Sequence, residues 1–450
     1  MSSPAHAVDP DAISGLDLPL LRVVPYDALE VLAVGCGDGA LGAALKAIRA
    51  GRRVLGVELP GAAAQAARGV LDGVFELDVE RDAPELSPGS LDALVFDDLL
   101  ARLRDPEAVL RRFGRFLRPG GTVLCGLPNA QHASVLAMLL RGEFQYQAGG
   151  ILDLAHLRFF TFTSACKMLL DAGFAPSLAD ATVTPPDETL LQRLEPLVAQ
   201  LGVNAARARA FMGCSRYVMR GMPLGWEVEE ARETPMTFVA CVSDEAVLRD
   251  NLLASPCFQG DSPHELLLVR GARNAAEGLN GGLARAQHET VVLVHQDVYL
   301  PRGWPARFAR QQALARQRLG EVAVAGVFGA RFRAAVPGGV EYAGHLLDRE
   351  RLSRQGALPA EVDTVDELLI AVRRGTALRF DERLGFHFYG ADLACAARRA
   401  GLKVAVLDAP CFHNSQLGAT PPPAFHESGA AFRAKWSADL PIATCCALIR

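Results

Sequence analysis

The stretch VLAVGCGDGALG, residues 31–42, decides how the first half of this chain is read. A strand-forming run, Val31 to Val34, passes into Gly35, Gly37 and Gly39, and a helical pattern of small and apolar residues follows. Glycine at a strand end lets the backbone turn sharply and approach a ligand, while the N-terminus of the next helix faces it. Glycine spacing alone is weak, and a carboxylate about 20 residues on strengthens it. Glu58 closes the next run, RVLGVE, where it can accept both hydroxyls of a ribose. Asp78, after GVFEL, would then end a third strand beside the nucleobase.

Outward from this stretch, EVLAVG, RVLGVE, GVFELD, LDALVF and GTVLCGLP alternate with helical segments, the order of a parallel sheet wrapped by helices. A helix is predicted over 105–117: Asp105 caps it, Pro106 suits its first turn, Val109, Leu110, Phe113 and Leu117 share a face, and RPGG stops it. Beyond residue 176, TVTPPDET reads as a loop, 188–213 as helical and SRYVMRG as a short strand. The turn-rich GMPLGWEVEEARETP reads as a joint, and from Met236 a second strand series begins with MTFVACV, HELLLV, VVLVH and VAVAGV. The expected fold class is therefore α/β in two domains. Residues 1–28 form an N-terminal extension, 29–220 the first domain, 221–235 a linker and 236–450 the second domain.

A chain of 450 residues, half of them apolar and 22% charged, exceeds what one core usually serves. Its net charge of −5 and lack of a basic run exclude the electrostatic footprint of a nucleic-acid binder. No apolar run reaches the ~18 residues of a membrane span, and MSSPAHAVDPDAIS has no signal-peptide character, so a cytoplasmic protein is expected, with peripheral membrane association left open. Ten scattered cysteines without a Cys-x-x-Cys spacing read as reduced core thiols.

The first half resembles a class I S-adenosylmethionine-dependent methyltransferase with a Rossmann-like fold. The resemblance is carried by Gly-x-Gly-x-Gly, by LDALVFDDLLARLRDPEAVLRRFGRFLRPGGTVLCGLPN and by GGILDLAHLRFFT. It implies S-adenosylmethionine as cofactor, held by Gly35, Gly37, Gly39, Glu58 and Asp78. Ala33 stands where the family usually has an acidic residue near the cofactor's amino-acid end, and LLARL stands where a Glu-His pair is common. His156 is the candidate base for methyl transfer to oxygen or nitrogen, with Asp153 to orient it. His156 and Arg158 equally suit a loop-to-body contact.

In the second half, ETVVLVHQDVYLPRGW, residues 289–304, ends a buried strand in polar groups, where open α/β sheets bind ligands. Its context, GLNGGLARAQHETVVLVHQDVYLPRGW, resembles a GT-A-fold, family-2-like glycosyltransferase. The resemblance implies a nucleotide-sugar donor, with Asn280 among its contacts, and Mg²⁺ or Mn²⁺ at an acidic motif that reads His295-x-Asp297 here. His413, after a later strand, is a further candidate ligand or a strand-end cap. Asp392 in GFHFYGADLACAARRAGLKV is the candidate base, ahead of Asp381, Asp366 and Glu367, and it also suits a helix N-terminus. Trp304 and Tyr389 suit stacking on sugar or base as well as core packing. Together the resemblances imply a bifunctional transferase acting on a glycan or lipid-linked glycan acceptor in surface polysaccharide synthesis. The alternatives are a glycosyltransferase with a non-catalytic methyltransferase-like scaffold, or a methyltransferase with a sugar-nucleotide-binding module.

Overall fold

The computed structural model describes residues 18–184, 187–201, 203–225, 234–415 and 422–450. Most of the expected extension, through residue 17, and the middle of the expected joint, 226–233, lie outside the described residues. The chain divides into two compact units, Met1–Glu227 and Val228–Arg450. Among the described residues no helix is long and apolar enough to cross a membrane.

Among the described residues the first unit contains seven strands: β1 (Glu30–Val34), β2 (Arg53–Glu58), β3 (Gly73–Glu76), β4 (Leu91–Asp97), β5 (Leu117–Pro128), β6 (Phe174–Val183) and β7 (Cys214–Pro223). Its helices are α1 (Leu18–Val23), α2 (Ala40–Ile48), α3 (Ala62–Arg68), α4 (Pro106–Gly114), α5 (Ala133–Leu140), α6 (Phe162–Asp171), α7 (Glu188–Gln200) and α8 (Ala205–Met212). The sheet order is β3-β2-β1-β4-β5-β7-β6. The first five strands run parallel and β7 pairs antiparallel with β5 and β6. β1 sits between β2 and β4, so the strand order reverses there, and a crevice opens beyond the carboxyl ends of β1 and β4.

Two expected boundaries move. Asp105 does cap α4, accepting the Ala108 N–H at 2.9 Å, but the helix ends at Gly114. Leu117 instead opens β5 opposite Leu91, and residues 118–121 form an excursion before Thr122 pairs with Ala93. The expected extension also contributes α1, whose Leu20 and Leu21 are buried in one core cluster with Val31 of β1 and Leu45 of α2.

Among its described residues the second unit builds a seven-stranded mixed sheet and two smaller sheets. Its strands in chain order are β8 (Thr237–Val242), β9 (Glu265–Arg270), β10 (Thr290–Val294), β11 (Val298–Tyr299), β12 (Val322–Gly326), β13 (Phe328–Phe332), β14 (Val340–Asp348), β15 (Arg351–Gln355), β16 (Ala360–Glu361), β17 (Thr364–Val365), β18 (Leu369–Arg373), β19 (Lys403–Val406), β20 (Phe412–His413), β21 (Ile442–Ala443) and β22 (Leu448–Ile449). The large sheet runs β16-β19-β12-β18-β10-β8-β9, and a second one runs β11-β20-β14-β13-β17 with β15 beside β14. The helices are α9 (Glu245–Asp250), α10 (Ala275–Arg285), α11 (Trp304–Leu319), α12 (Tyr389–Arg399) and α13 (Pro423–Lys435). α10 lies close on β8 because Gly282 has no side chain: a Cβ there would stand 2.1 Å from Val239 Cγ1. All ten cysteines are free thiols, and Cys446 is the one exposed to solvent.

Candidate functional sites of the two units

The glycine loop of the first unit hangs on the end of β2. Val57 O accepts the N–H groups of Gly35 (2.8 Å) and Cys36 (3.0 Å), and Glu58 Oε2 accepts that of Gly37 at 2.8 Å. Glu58 Oε1 accepts the Leu59 N–H, also at 2.8 Å, so the carboxylate is held while each oxygen keeps a lone pair for a ligand. Gly37 has φ 57° and nothing within 4 Å of a built Cβ, so its open side is where a ligand can approach. Gly39, φ 87°, is excluded from carrying a side chain by Val70 Cγ2 at 2.7 Å. Asp78 lies two residues past β3, caps the Glu80 N–H at 3.0 Å and pairs with Arg81 at 3.4 Å.

From β4 the crevice receives Asp97 and Asp98, which the sequence reading did not single out. Asp98 has φ 57°, a left-handed backbone that non-glycine residues seldom adopt and that clusters at functional sites. Arg216 of β7 reaches both carboxylates, contacting Asp97 Oδ1 through Nη2 and standing 3.3 Å from Asp98 Oδ1 through Nη1. Its path is cleared by Gly126, the partner of Asp97 in the β4–β5 register, where a Cβ would fall 1.9 Å from Arg216 Nη2. Burial pushes the Asp98 carboxyl above the usual range against the opposing pull of Arg216, and His156 also bears on its charge.

His156 is buried, and the segment after it is tied to the turn following β4: Ala101 O accepts the N–H groups of Leu157 (2.8 Å) and Arg158 (2.9 Å). His156 Nδ1 lies 3.1 Å from Ile151 O. A carbonyl only accepts, so Nδ1 carries the hydrogen, and in the neutral ring Nε2 carries the lone pair. Nε2 is buried and has no hydrogen-bond partner among the described residues. Asp153 does not orient this ring: its two oxygens accept Gly149 N–H (2.6 Å) and Ala155 N–H (2.7 Å), fixing the loop. Arg158 donates to Arg104 O and serves the loop-to-body contact.

In the second unit, His295 and Asp297 follow β10. The antiparallel pairing of β11 with β20 sets Val298 opposite His413, and the Asn414 N–H donates to Asp297 O at 2.9 Å, so backbone register delivers the later histidine. His413 Nε2 stands 3.4 Å and His295 Nδ1 3.8 Å from Asp297 Oδ1. The three ligand atoms all lie within 4.8 Å of one another. The 3.4 Å spacing matches the tetrahedral edge of about 3.4 Å for donors about 2.1 Å from one first-row cation, and the 3.8 Å spacing is somewhat longer than that edge. One carboxylate and two imidazoles therefore fit Mn²⁺ better than Mg²⁺. Asp348, set opposite His413 by the β14–β20 register, bonds His413 Nδ1 at 2.8 Å, the outer contact that aims a ligating imidazole. His295 Nε2 shares a 2.8 Å hydrogen bond with the Tyr389 hydroxyl. Burial alone would lower the His413 pKa, but Asp297 and Asp348 together push it up to about 10.

Two expected roles, those of Asp392 and Asn280, are corrected, and of the two readings open for Trp304 the structure shows core packing. Asp392 is buried, and its oxygens accept Trp436 Nε1–H at 2.7 Å and Lys435 Nζ–H at 2.9 Å, so it ties α12 to the end of α13 and faces no open space. Asn280 bonds both backbone groups of Phe380 at 3.0 Å, securing that segment to α10, which occupies it structurally. Trp304 is a core residue, stacked on Phe308 and donating to Ala409 O at 2.9 Å. Asp366 and Glu367 lie beside the His295 turn, and Asp366 bears on the charge of His295. His295 N–H donates to Leu368 O, and Glu367 Oε1 accepts the Gly390 N–H at 3.0 Å at the start of α12, where only a glycine avoids Glu367 Cγ. Burial pushes the Glu367 carboxyl up to about 8.

Residues 15–177, which fall within the first unit, match the family model for a methyltransferase domain. The ubiquinone biosynthesis O-methyltransferase of Paracidovorax citrulli (strain AAC00-1) is 30% identical over 160 residues, 32% of this chain and 64% of that protein. The protein of the same name from Xanthomonas campestris pv. campestris (strain B100) is 31% identical over 146 residues, 31% of this chain and 59% of that one. The chain thus spans less than two thirds of the length of these curated relatives. A solved SAM-dependent methyltransferase from Archaeoglobus fulgidus aligns with 45% of this chain and 90% of its own at 16% identity and a TM-score of 0.33, a likeness that carries no argument about activity.

Proposed function

We propose that the chain is a two-unit transferase whose first unit methylates an oxygen or nitrogen of its acceptor from S-adenosylmethionine, and whose second unit transfers a sugar from a nucleotide-sugar donor. The observation that carries the first activity is the crevice itself: an open glycine at the end of β1, a carboxylate held at the end of β2, and a buried imidazole whose lone-pair nitrogen has no partner among the described residues. Glu58 would hold the ribose hydroxyls, and the backbone at Gly37 would admit the cofactor, which supplies a methyl group activated on a sulfonium. His156 Nε2 takes the proton that the acceptor hydroxyl or amine must lose, and burial of its ring keeps bulk water from competing. The O-methyltransferase relatives favour oxygen as the acceptor atom. Calorimetric titration of the full chain with S-adenosylmethionine, followed by methyl-labelled product analysis, tests this reading. Absence of binding would overturn it and leave the first unit as a scaffold.

The sugar-transfer activity rests on the convergence of His295, Asp297 and His413. A divalent cation held there would neutralise charge on a departing diphosphate. In this reading Asp366, whose charge bears on His295, takes over the base role expected of Asp392, because Asp392 is committed to Lys435 and Trp436. The acceptor would be a growing glycan, free or lipid-linked. Nucleotide-sugar binding measured with and without Mn²⁺ is expected to depend on the cation in the wild type and to lose that dependence in Asp297→Ala. Cation-independent binding in the wild type would refute the metal centre.

A further inference from the structure

The crevice between the ends of β1 and β4 opens a small cleft lined by Ala33, Gly35, Cys36, Leu41, Val95 and Asp97. The Cys36 thiol is pushed up to about 11 by burial and by Glu58, so it brings no charge at neutral pH. Among the described lining residues Asp97 is then the one formal charge. The β1–β4 register sets Ala33 opposite Val95, and Asp97, two residues further along β4, projects from the same face as Val95. A ligand entering beside the glycine loop therefore meets a methyl group from β1 and a carboxylate from β4.

S-adenosylmethionine carries an α-ammonium at its amino-acid end, a three-donor cation that needs an anionic acceptor once it leaves water. We propose that Asp97 receives this ammonium, supplying from β4 the carboxylate that Ala33 leaves out of β1. The inference rests on the reading of the first unit as an S-adenosylmethionine site. Arg216 engages Asp97 Oδ1 and so fixes the direction of the side chain, which leaves Oδ2 for a second cation. Gly126 is part of the same device, because its missing side chain is what lets Arg216 cross β5 to reach Asp97.

The test compares two neutral-sulfur ligands on the full chain by calorimetry: S-adenosylhomocysteine, which keeps the amino-acid end, and 5′-methylthioadenosine, which lacks it. Asp97→Asn is expected to weaken S-adenosylhomocysteine by roughly 10–100-fold, the weight of a charge-assisted hydrogen bond. Binding of 5′-methylthioadenosine should change by less than about threefold, since the nucleoside end is untouched and its retention shows that the site still folds. Asp97→Glu, which keeps the charge, should stay near the wild-type ratio. Equal loss of both ligands, or an unchanged affinity for S-adenosylhomocysteine, overturns the assignment of Asp97 while leaving the cofactor reading intact. A wild type that binds neither ligand overturns both.

Discussion

Replacing Glu58 tests the cofactor reading most directly, because its carboxylate links the glycine loop to the end of β2 through two 2.8 Å bonds. Removing it in Glu58→Ala leaves the Gly37 and Leu59 N–H groups without their acceptor and withdraws the anion proposed for the ribose hydroxyls. Hydrogen bonds to charged groups are worth about 1.5–3 kcal/mol, so loss of one ribose contact alone should weaken S-adenosylhomocysteine by roughly 10–150-fold. Glu58→Gln keeps one carbonyl acceptor and loses the charge, and it should fall between wild type and Ala. Loosening of the loop would also weaken binding, and a second ligand separates the two effects. The 2′-deoxy analogue lacks one hydroxyl, so the wild type should discriminate against it while Glu58→Ala should not, the two losses being one interaction counted from either side. If Glu58→Ala binds S-adenosylhomocysteine within threefold of wild type, the ribose role is wrong. If it binds weakly yet still discriminates against the deoxy analogue, loop order is the whole of what Glu58 does.

Asp392→Asn should lower the stability of the second unit by about 2 kcal/mol in urea unfolding, since it weakens bonds to Lys435 and Trp436 in a buried setting; unaltered stability with abolished sugar transfer would restore Asp392 as the base. Gly282→Ala should cost about 1–3 kcal/mol by overpacking α10 against Val239, read as a lowered melting midpoint, and a wild-type midpoint would refute that packing. Asp98→Asn should change the pH dependence of stability. The folded Asp98 carboxyl titrates above its unfolded value, mainly through burial, so the folded state binds the extra proton between the two. The stability it contributes is complete below the ordinary aspartate range near 4 and is lost as pH rises through the raised folded value. Urea unfolding across that window should therefore show a decline in the wild type that is absent in Asp98→Asn, and parallel profiles would contradict it.

Much of the architecture was legible because the signals are local. Glycine at the end of β1, the Asp105-Pro106 pair at the start of α4 and the apolar runs of β8 and β10 each act over a few residues. The end of α4 was not legible: Leu117 continues the apolar spacing of the helix, and only its pairing with Leu91, far back in the chain, claims it for β5. The strand-end positions of His295, Asp297 and His413 could be read from sequence, but the β11–β20 register that joins them could not. Asp97 and Asp98 carried a readable signal, two carboxylates closing an apolar strand of the first sheet, and they were passed over. Arg216 and Asp348 carried none, since each enters its site through a strand pairing that spans much of its unit. The misassignment of Asp392 has the same origin: a helix-opening acid looks alike whether it faces a cleft or, as here, Lys435 and Trp436 of a later segment.

The route of Arg216 over Gly126 also bears on where the first unit can be cut. The family match ends at residue 177, inside β6, and excludes β7 altogether. A fragment trimmed to that match would strip β5 of its neighbour along six paired positions, Val123 to Pro128, and present a long bare edge to any other chain in solution. It would also leave Asp97 and Asp98 as adjacent carboxylates without their shared guanidinium. Poor solubility and weak ligand binding of such a fragment would report the missing β5–β7 pairing rather than the worth of the matched region. Residues through at least Pro223 belong to the smallest piece in which the crevice is whole.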